Sequence, residues 1–255
     1  MPNYKENKDL REYFLKALGE KYDNRTRVGI HISDIVYCLR ESLARRYINR
    51  PNSIQSLFFF LDGEQRHAGF QGLVPELDIE NEIEFCPNCV AAVKLNKEGC
   101  CPDCGAIGIS SHVDIQGKYP IEIKTTRKKP SGEMPEHYLR QGAYYCVLTG
   151  SNKFTLMTQH INHTDIIFME VEFSGKELRQ YYEEMMDSYN QLAPLYTMLN
   201  EKLKGLDKEE AMDLILDAFG CLPYVRDTMK WKCALCLYHD LCYFDKDVKG
   251  EKEKA

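Results

Sequence analysis

No stretch of this sequence approaches the run of about 18 apolar residues that a membrane-spanning helix needs. The opening residues, MPNYKENKDL, lack the apolar region of a secretory signal. These two absences set the expectation of a cytoplasmic protein with no membrane partner. Basic excess is missing too: 33 Lys and Arg stand against 39 Asp and Glu, a net charge of −6. Such a chain does not adhere to nucleic acid over its whole surface, although a local basic groove stays open to it. With 44% hydrophobic and 28% charged residues it has the balance of a globular protein. At 255 residues it can bury a sizeable core, in one large domain or two small ones.

Cysteine is what the sequence has in excess. There are eleven, and in a chain without a secretory signal their paired spacings point to metal rather than disulfides. Cys86-x-x-Cys89 and Cys101-x-x-Cys104 form two knuckles eleven residues apart, each with proline after its first cysteine. Four such thiolates close a tetrahedral shell around Zn²⁺ and leave no open position, so the role is structural. Cys100 is the neighbouring rival for Cys101, which restores the C-x-x-C spacing. Cys233-x₂-Cys236-x₅-Cys242 supplies three further thiolates, one short of a closed site. Cys38 and Cys221 are the candidates for the fourth. Thiolate chemistry alone accepts zinc or an iron–sulfur cluster there. Cys146 reads as a packing residue.

Periodicity supplies the elements between these landmarks. A helix is expected near Lys8–Leu18. Ser33 reads as the N-cap of another that carries Ile35, Leu39, Leu43 and Tyr47 in one buried stripe, with Cys38 beside it. A third runs from about Ser53 to Phe70 and carries His67. A strand covers Leu77–Phe85. Beyond the ribbon, Pro135 opens and Gly150 closes a helix on which Gln141 and Tyr145 share a face. FTLMTQHI and DIIFMEVEF read as strands, and Ser174 with Glu177 makes a capping box for a long helix to about Leu203. DKEEAMDLILDAF is a further helix, and the charged tail reads as disordered.

Between ribbon and helix, SSHVDI and IEIKTT flank Gln116-Gly117-Lys118-Tyr119-Pro120, which predicts a β-hairpin. Alternation along a strand puts Glu122 and Lys124 on one face and Ile121 and Ile123 on the other. With Asp114 on the preceding strand, the three make a compact site for a hard divalent cation. The plain alternative is an edge hairpin with solvated charges. Arg127, Lys128 and Lys129 follow the hairpin; they are candidate phosphate contacts or a solvated loop.

The hairpin resembles motifs II and III of the PD-(D/E)XK nucleases, with Asp114, Glu122 and Lys124 at the matching places. Gly63-x-x-x-His67 resembles the first motif of RecB-like nucleases, whose histidine joins the metal shell. Gln141-x-x-x-Tyr145, 17 residues after Lys124, resembles their fourth motif, whose residues help hold nucleic acid and the catalytic centre. WKCALCLYHDLC is very like the C-terminal motif of the iron–sulfur members. From about Ser33 to Cys242 these matches resemble RecB-like nucleases with an iron–sulfur cluster, especially the fourth family of CRISPR-associated proteins. The ribbon departs from the plain family pattern, as an insert that stabilises or that contacts DNA or a partner. Ser111 stands where the family often has glycine.

The resemblance implies an α/β restriction-endonuclease-like fold, a mixed central sheet flanked by helices. It implies that His67, Asp114, Glu122 and the Ile123 carbonyl hold one or two Mg²⁺ or Mn²⁺ ions while Lys124 orients water and stabilises charge on phosphate. Gln141 and Tyr145 complete that site. It selects Cys38, with Cys233, Cys236 and Cys242, as ligands of a [4Fe–4S] cluster joining both ends of the chain. The expected organisation is 1–85 as an N-terminal helical part, 86–105 as the ribbon, 106–220 as the nuclease core, 221–244 as the cysteine cluster and 245–255 as a disordered tail. The implied activity is exonuclease action on single-stranded DNA, trimming fragments before insertion into a CRISPR array, with a CRISPR integrase complex as partner. The competing readings are a non-catalytic DNA-end-binding adaptor for an integrase and a viral or repair nuclease unconnected with CRISPR. An adaptor has no need of an intact Asp–Glu–Lys set.

Overall fold

The alternating residues around Asp114 and Glu122 form two strands of a larger sheet. The computed structural model describes residues 8–23, 29–74, 78–129, 132–163, 165–225 and 227–242. The strands are β1 (Ile30–His31), β2 (Asp78–Cys86), β3 (Ala91–Ala92), β4 (Ile109–Gln116), β5 (Pro120–Thr126), β6 (Lys153–His160) and β7 (Asp165–Glu172). They lie in the order β3-β2-β4-β5-β6-β7, with β1 added beside β4. β5 and β6 are parallel, as are β1 and β4, and the remaining pairs are antiparallel, so the sheet is mixed.

One edge of β4 is shared in a way that makes room for a site. β2 takes its whole length on one side. On the other, β1 takes Ile109 and Ser110 while β5 takes Ile115 and Gln116. The intervening residues, including His112 and Asp114, face that edge without a strand partner.

Parallel strands need a crossover, and here it is α5 (Glu136–Thr149), which the left-handed Gly150 ends at φ 68°. α5 sits very close to the sheet at Gly142, where a Cβ would stand 2.3 Å from the Phe154 ring. Only glycine permits that approach. Behind α5 lies α6 (Gly175–Lys202), whose Met185, Leu192 and Tyr196 are buried in the same core as Tyr144, Tyr145, Phe154 and Leu156. The capping box forms: Ser174 Oγ accepts from the Glu177 N–H at 3.2 Å, and Glu177 Oε2 accepts from the Ser174 N–H at 2.7 Å. Helices thus flank a central mixed sheet, the fold class that was expected.

Two expectations need correction. The helix expected from Ser33 through Ile48 is broken into α2 (Ile32–Val36) and α3 (Leu39–Tyr47). His31 rather than Ser33 caps α2, its ring accepting from the Ser33 N–H at 3.3 Å. At the break Cys38 is extended, with φ −113° and ψ 114°, and becomes the N-cap of α3. The buried stripe survives because Ile35, Leu39 and Leu43 still face the core, and Ser42 Oγ ties the two pieces by donating to the Asp34 carbonyl at 3.0 Å. The first helix, α1 (Lys8–Asp23), runs beyond Leu18. The start of the expected Leu77–Phe85 strand and the tail fall outside the described residues.

The C-terminal segment folds back onto α3. Arg50 makes a forked pair with Asp240 at 2.6 and 3.0 Å, and Tyr238 donates to the Ile48 carbonyl at 2.8 Å. Buried Arg40 donates to the Leu222 carbonyl at 2.8 Å and lies over the Phe219 and Tyr224 rings. α7 (Lys208–Gly220) leads the chain to this contact.

Candidate active site and cysteine centres

Asp114 is held from three directions. Its Oδ2 accepts the Ile123 N–H at 2.7 Å, its Oδ1 lies 3.1 Å from His67 Nδ1, and its carbonyl accepts from Gln71 Nε2 at 2.8 Å. His67 and Gln71 sit one helical turn apart on α4 (Ile54–Gln71), so one face of that helix closes over the edge of β4. Gln71 was not singled out from sequence, although its i+4 spacing from His67 is a signal for it.

Glu122 is held from the other side of the sheet edge. Its Oε1 takes the Lys124 ammonium and accepts from Gln141 Nε2 at 2.8 Å. The same Gln141 nitrogen lies 2.6 Å from the Tyr145 hydroxyl, which donates to the His112 carbonyl at 3.3 Å. Gln141 and Tyr145 therefore reach the edge of β4 left without a strand partner. Glu122 Oε2 is buried and has no hydrogen-bond partner. A buried carboxylate oxygen left bare is costly, which makes it a candidate metal ligand.

The titrations differ across this small site. Burial pushes the Glu122 carboxyl up, against the pull of Lys124 and with Asp114's charge adding to the rise. Burial would also raise Asp114, but the His67 hydrogen bond, nearby positive charge and the Ile123 N–H outweigh it, and its pKa is lowered. Burial opposes the charge on Lys124, yet the Glu122 carboxylate wins and keeps its pKa well above the ordinary lysine value. The site thus sets an aspartate whose carboxyl is lowered beside a glutamate whose carboxyl is raised, with a lysine cation held against the glutamate. Hard oxygens with one imidazole fit Mg²⁺ or Mn²⁺. His67 and Asp114 are in contact, whereas Glu122 is turned to Lys124 and Gln141.

Arg127, Lys128 and Lys129 are exposed. The Arg127 guanidinium lies 5.2 Å from the Phe59 ring centroid, toward α4. The loop backbone is anchored, with the Lys128 carbonyl 2.9 Å from His160 Nδ1.

Among the described residues, Cys86, Cys89, Cys101 and Cys104 form the one group of three or more His, Cys, Asp or Glu ligand atoms lying within 4.8 Å of one another. Cys86 and Cys104 sulfurs are 3.5 Å apart and those of Cys89 and Cys101 are 3.9 Å apart. Tetrahedral Zn–S bonds of about 2.3 Å put sulfurs about 3.8 Å apart, so the quartet fits one zinc ion. Backbone N–H groups of Cys104 and Asp103 help pull the Cys101 thiol down to about 7, while the neighbouring Cys104 and Cys86 sulfurs push Cys89 up to about 12 and burial raises Cys86. Cys100 stands outside this group.

Cys38, Cys233, Cys236 and Cys242 line one cavity of about 450 Å³, with Glu41 and Lys232 on its wall. The helix break brings Cys38 there, 195 positions from Cys233 in sequence. Their sulfurs do not close to the single-ion spacing of the first quartet. Cys221 is exposed and does not line the cavity, and Cys146 is buried with its thiol 3.1 Å from the Lys153 carbonyl.

Most of the chain takes part in the likeness to known structures. It is similar to the crystal structure of SSO0001, at 16% identity and a TM-score of 0.54, over 91% of this chain and 95% of that one. An alkaline exonuclease, LHK-Exo from Laribacter hongkongensis, is similar at 14% identity and a TM-score of 0.44, over 77% of this chain and 100% of that one. The same exonuclease in complex with dAMP gives 13% identity and a TM-score of 0.41, with the same coverage. No family model matches the sequence, and no curated protein does. At these identities the fold is what is shared with SSO0001.

Proposed function

We propose that this chain is a metal-dependent DNA nuclease, acting as an exonuclease on single-stranded DNA. The observation that carries the reading is Glu122. It is buried in contact with a lysine, has one carboxylate oxygen left bare, and sits across a splayed hairpin from a pinned aspartate. An adaptor would gain nothing from that cost.

Asp114, Glu122, His67 and the Ile123 carbonyl are the groups to hold Mg²⁺ or Mn²⁺. The ion would lower the pKa of a bound water and offset charge on the phosphate. The chain's own groups do the rest. Lys124 keeps its proton and offers a fixed positive charge where phosphoryl charge develops. Gln141 and Tyr145 hold Glu122 in place, and Gln71 and the Ile123 N–H hold Asp114, so the two carboxylates wait in position.

The Cys86 quartet is assigned to structural zinc. The wider quartet of Cys38, Cys233, Cys236 and Cys242, around a cavity larger than one ion requires, is assigned to a [4Fe–4S] cluster. The motif resemblance supports a role in trimming DNA ends before CRISPR array insertion, beside an integrase complex. Cleavage of end-labelled single strands by anaerobically purified protein, with Mg²⁺ or Mn²⁺ and with Asp114→Ala alongside, tests the reading. Equal cleavage by both proteins, or none by the wild type, overturns it.

A further inference from the structure

Trp231 is the only tryptophan of the chain, and it stands 50% exposed in the 3₁₀ segment Asp227–Leu235 that also carries Cys233. Its ring centroid lies 5.5 Å from that of His137, and His137 lies 4.2 Å from Tyr138. The Tyr138 ring in turn lies 5.6 Å from Lys124 Nζ, the cation of the candidate active site. An aromatic row therefore runs from the surface to that lysine in steps of 4.2 to 5.6 Å. Adjoining nucleotides of one strand can span it.

Four cations lie about the row, three of them paired with carboxylates: Lys124 with Glu122, Arg140 with Glu136 and Glu184, and Lys232 with Glu41. Lys124, Arg140, Lys128 and Lys232 all act on His137, and Lys232 Nζ also lies 4.2 Å from the centroid of Tyr37, a second neighbour of that histidine. Burial, reinforced by those charges, lowers the His137 pKa to about 4, so at neutral pH its ring is uncharged. Flat uncharged faces with cations close by complement a nucleobase carried between anionic phosphates. Bases in a duplex are already stacked on each other and offer no free face.

Building on the nuclease reading, we propose that Trp231, with His137 and Tyr138 behind it, is a stacking site for an unpaired base of single-stranded DNA, placing an adjoining phosphate at Lys124. Selection for a single strand then lies in this row rather than in the metal site.

The lone tryptophan reports on its own site. Oligothymidylate added to full-length, anaerobically purified protein without Mg²⁺ or Mn²⁺ is expected to quench its fluorescence. An abasic oligomer of equal length and a duplex are expected to quench much less. Stacking energies for one base predict that Trp231→Ala weakens binding about 5- to 150-fold, and that Trp231→Phe retains most of it. Equal quenching by the abasic oligomer or by duplex overturns the proposal, as does unchanged affinity in Trp231→Ala. Where Trp231→Ala disturbs the neighbouring cysteines, seen as lost visible absorption, the wild-type quenching series and Trp231→Phe decide. Binding is read without cleavage, so an inactive protein that still quenches base-selectively sinks the nuclease reading and not this one. An active protein without selective quenching does the reverse.

Discussion

The Ile123 N–H donates to Asp114 Oδ2 at 2.7 Å across the open mouth of the hairpin, although strand register sets Asp114 opposite Glu122. The strands pair only at Ile115–Ile121 and Gln116–Pro120 and then splay. A backbone donor thus takes the aspartate, and Glu122 is left to Lys124 and Gln141.

Asp114→Asn keeps an oxygen to accept the Ile123 N–H but loses the charge. Cleavage should fall by at least about 10²-fold, the scale of removing one positioned electrostatic group, while the fold and both cysteine centres stay intact. Circular dichroism, zinc content and visible absorption beside a cleavage assay check this. Retained activity in Asp114→Asn removes the charge from the mechanism.

Because burial raises Glu122, metal-dependent kcat/KM should rise with pH along a limb above the usual carboxylate range. The sign for stability follows. A carboxyl whose folded pKa is raised contributes most stability below its unfolded pKa, and that contribution is lost as pH rises through the folded value. Metal needs the ionised form, so the gain in melting temperature from Mn²⁺ should grow with pH across the same limb. A gain that is flat with pH counts against Glu122 as a ligand.

The two cysteine quartets should separate cleanly. Cys86→Ser is expected to release one zinc per chain and leave the visible absorption unchanged. Cys233→Ala should bleach that absorption, keep the zinc and destabilise the link between α3 and the C-terminal segment. Colourless wild-type protein holding zinc in both quartets would make the second centre a zinc site instead.

For the exposed cations after β5, the salt dependence of single-strand binding is the measurement. Each true phosphate contact among Arg127, Lys128 and Lys129 should reduce the slope of log K against log salt by about 0.7 when neutralised. No change after replacing all three assigns them to solvent.

Gly142→Ala should test the seat of α5. The new methyl would stand 2.3 Å from the Phe154 ring, and overpacking of that kind costs about 1–3 kcal/mol. Thermal unfolding should show the loss, with Gln141 and Glu122 displaced and cleavage weakened. An unchanged melting temperature means the sheet gives way there without cost.

What the sequence determined by itself is the short-range part. The C-x-x-C pairs, the face shared by Glu122 and Lys124, the Gln141–Tyr145 turn and the Ser174–Glu177 box all depend on residues two to four apart, where backbone geometry alone sets who meets whom. Tertiary structure decided the rest. The break at Cys38 interrupts the continuous helix that the local stripe predicts, because the chain must leave β1, cover the core and still turn toward a C-terminal segment held by Arg50 and Tyr238. Gln71 reaches Asp114, and Trp231 comes to stand near His137, across 43 and 94 positions of sequence. The shared edge of β4, where β1 and β5 stop on either side of Asp114, has no local signature at all. Such meetings follow from how apolar faces bury each other across the whole sheet, a balance no short window of residues contains.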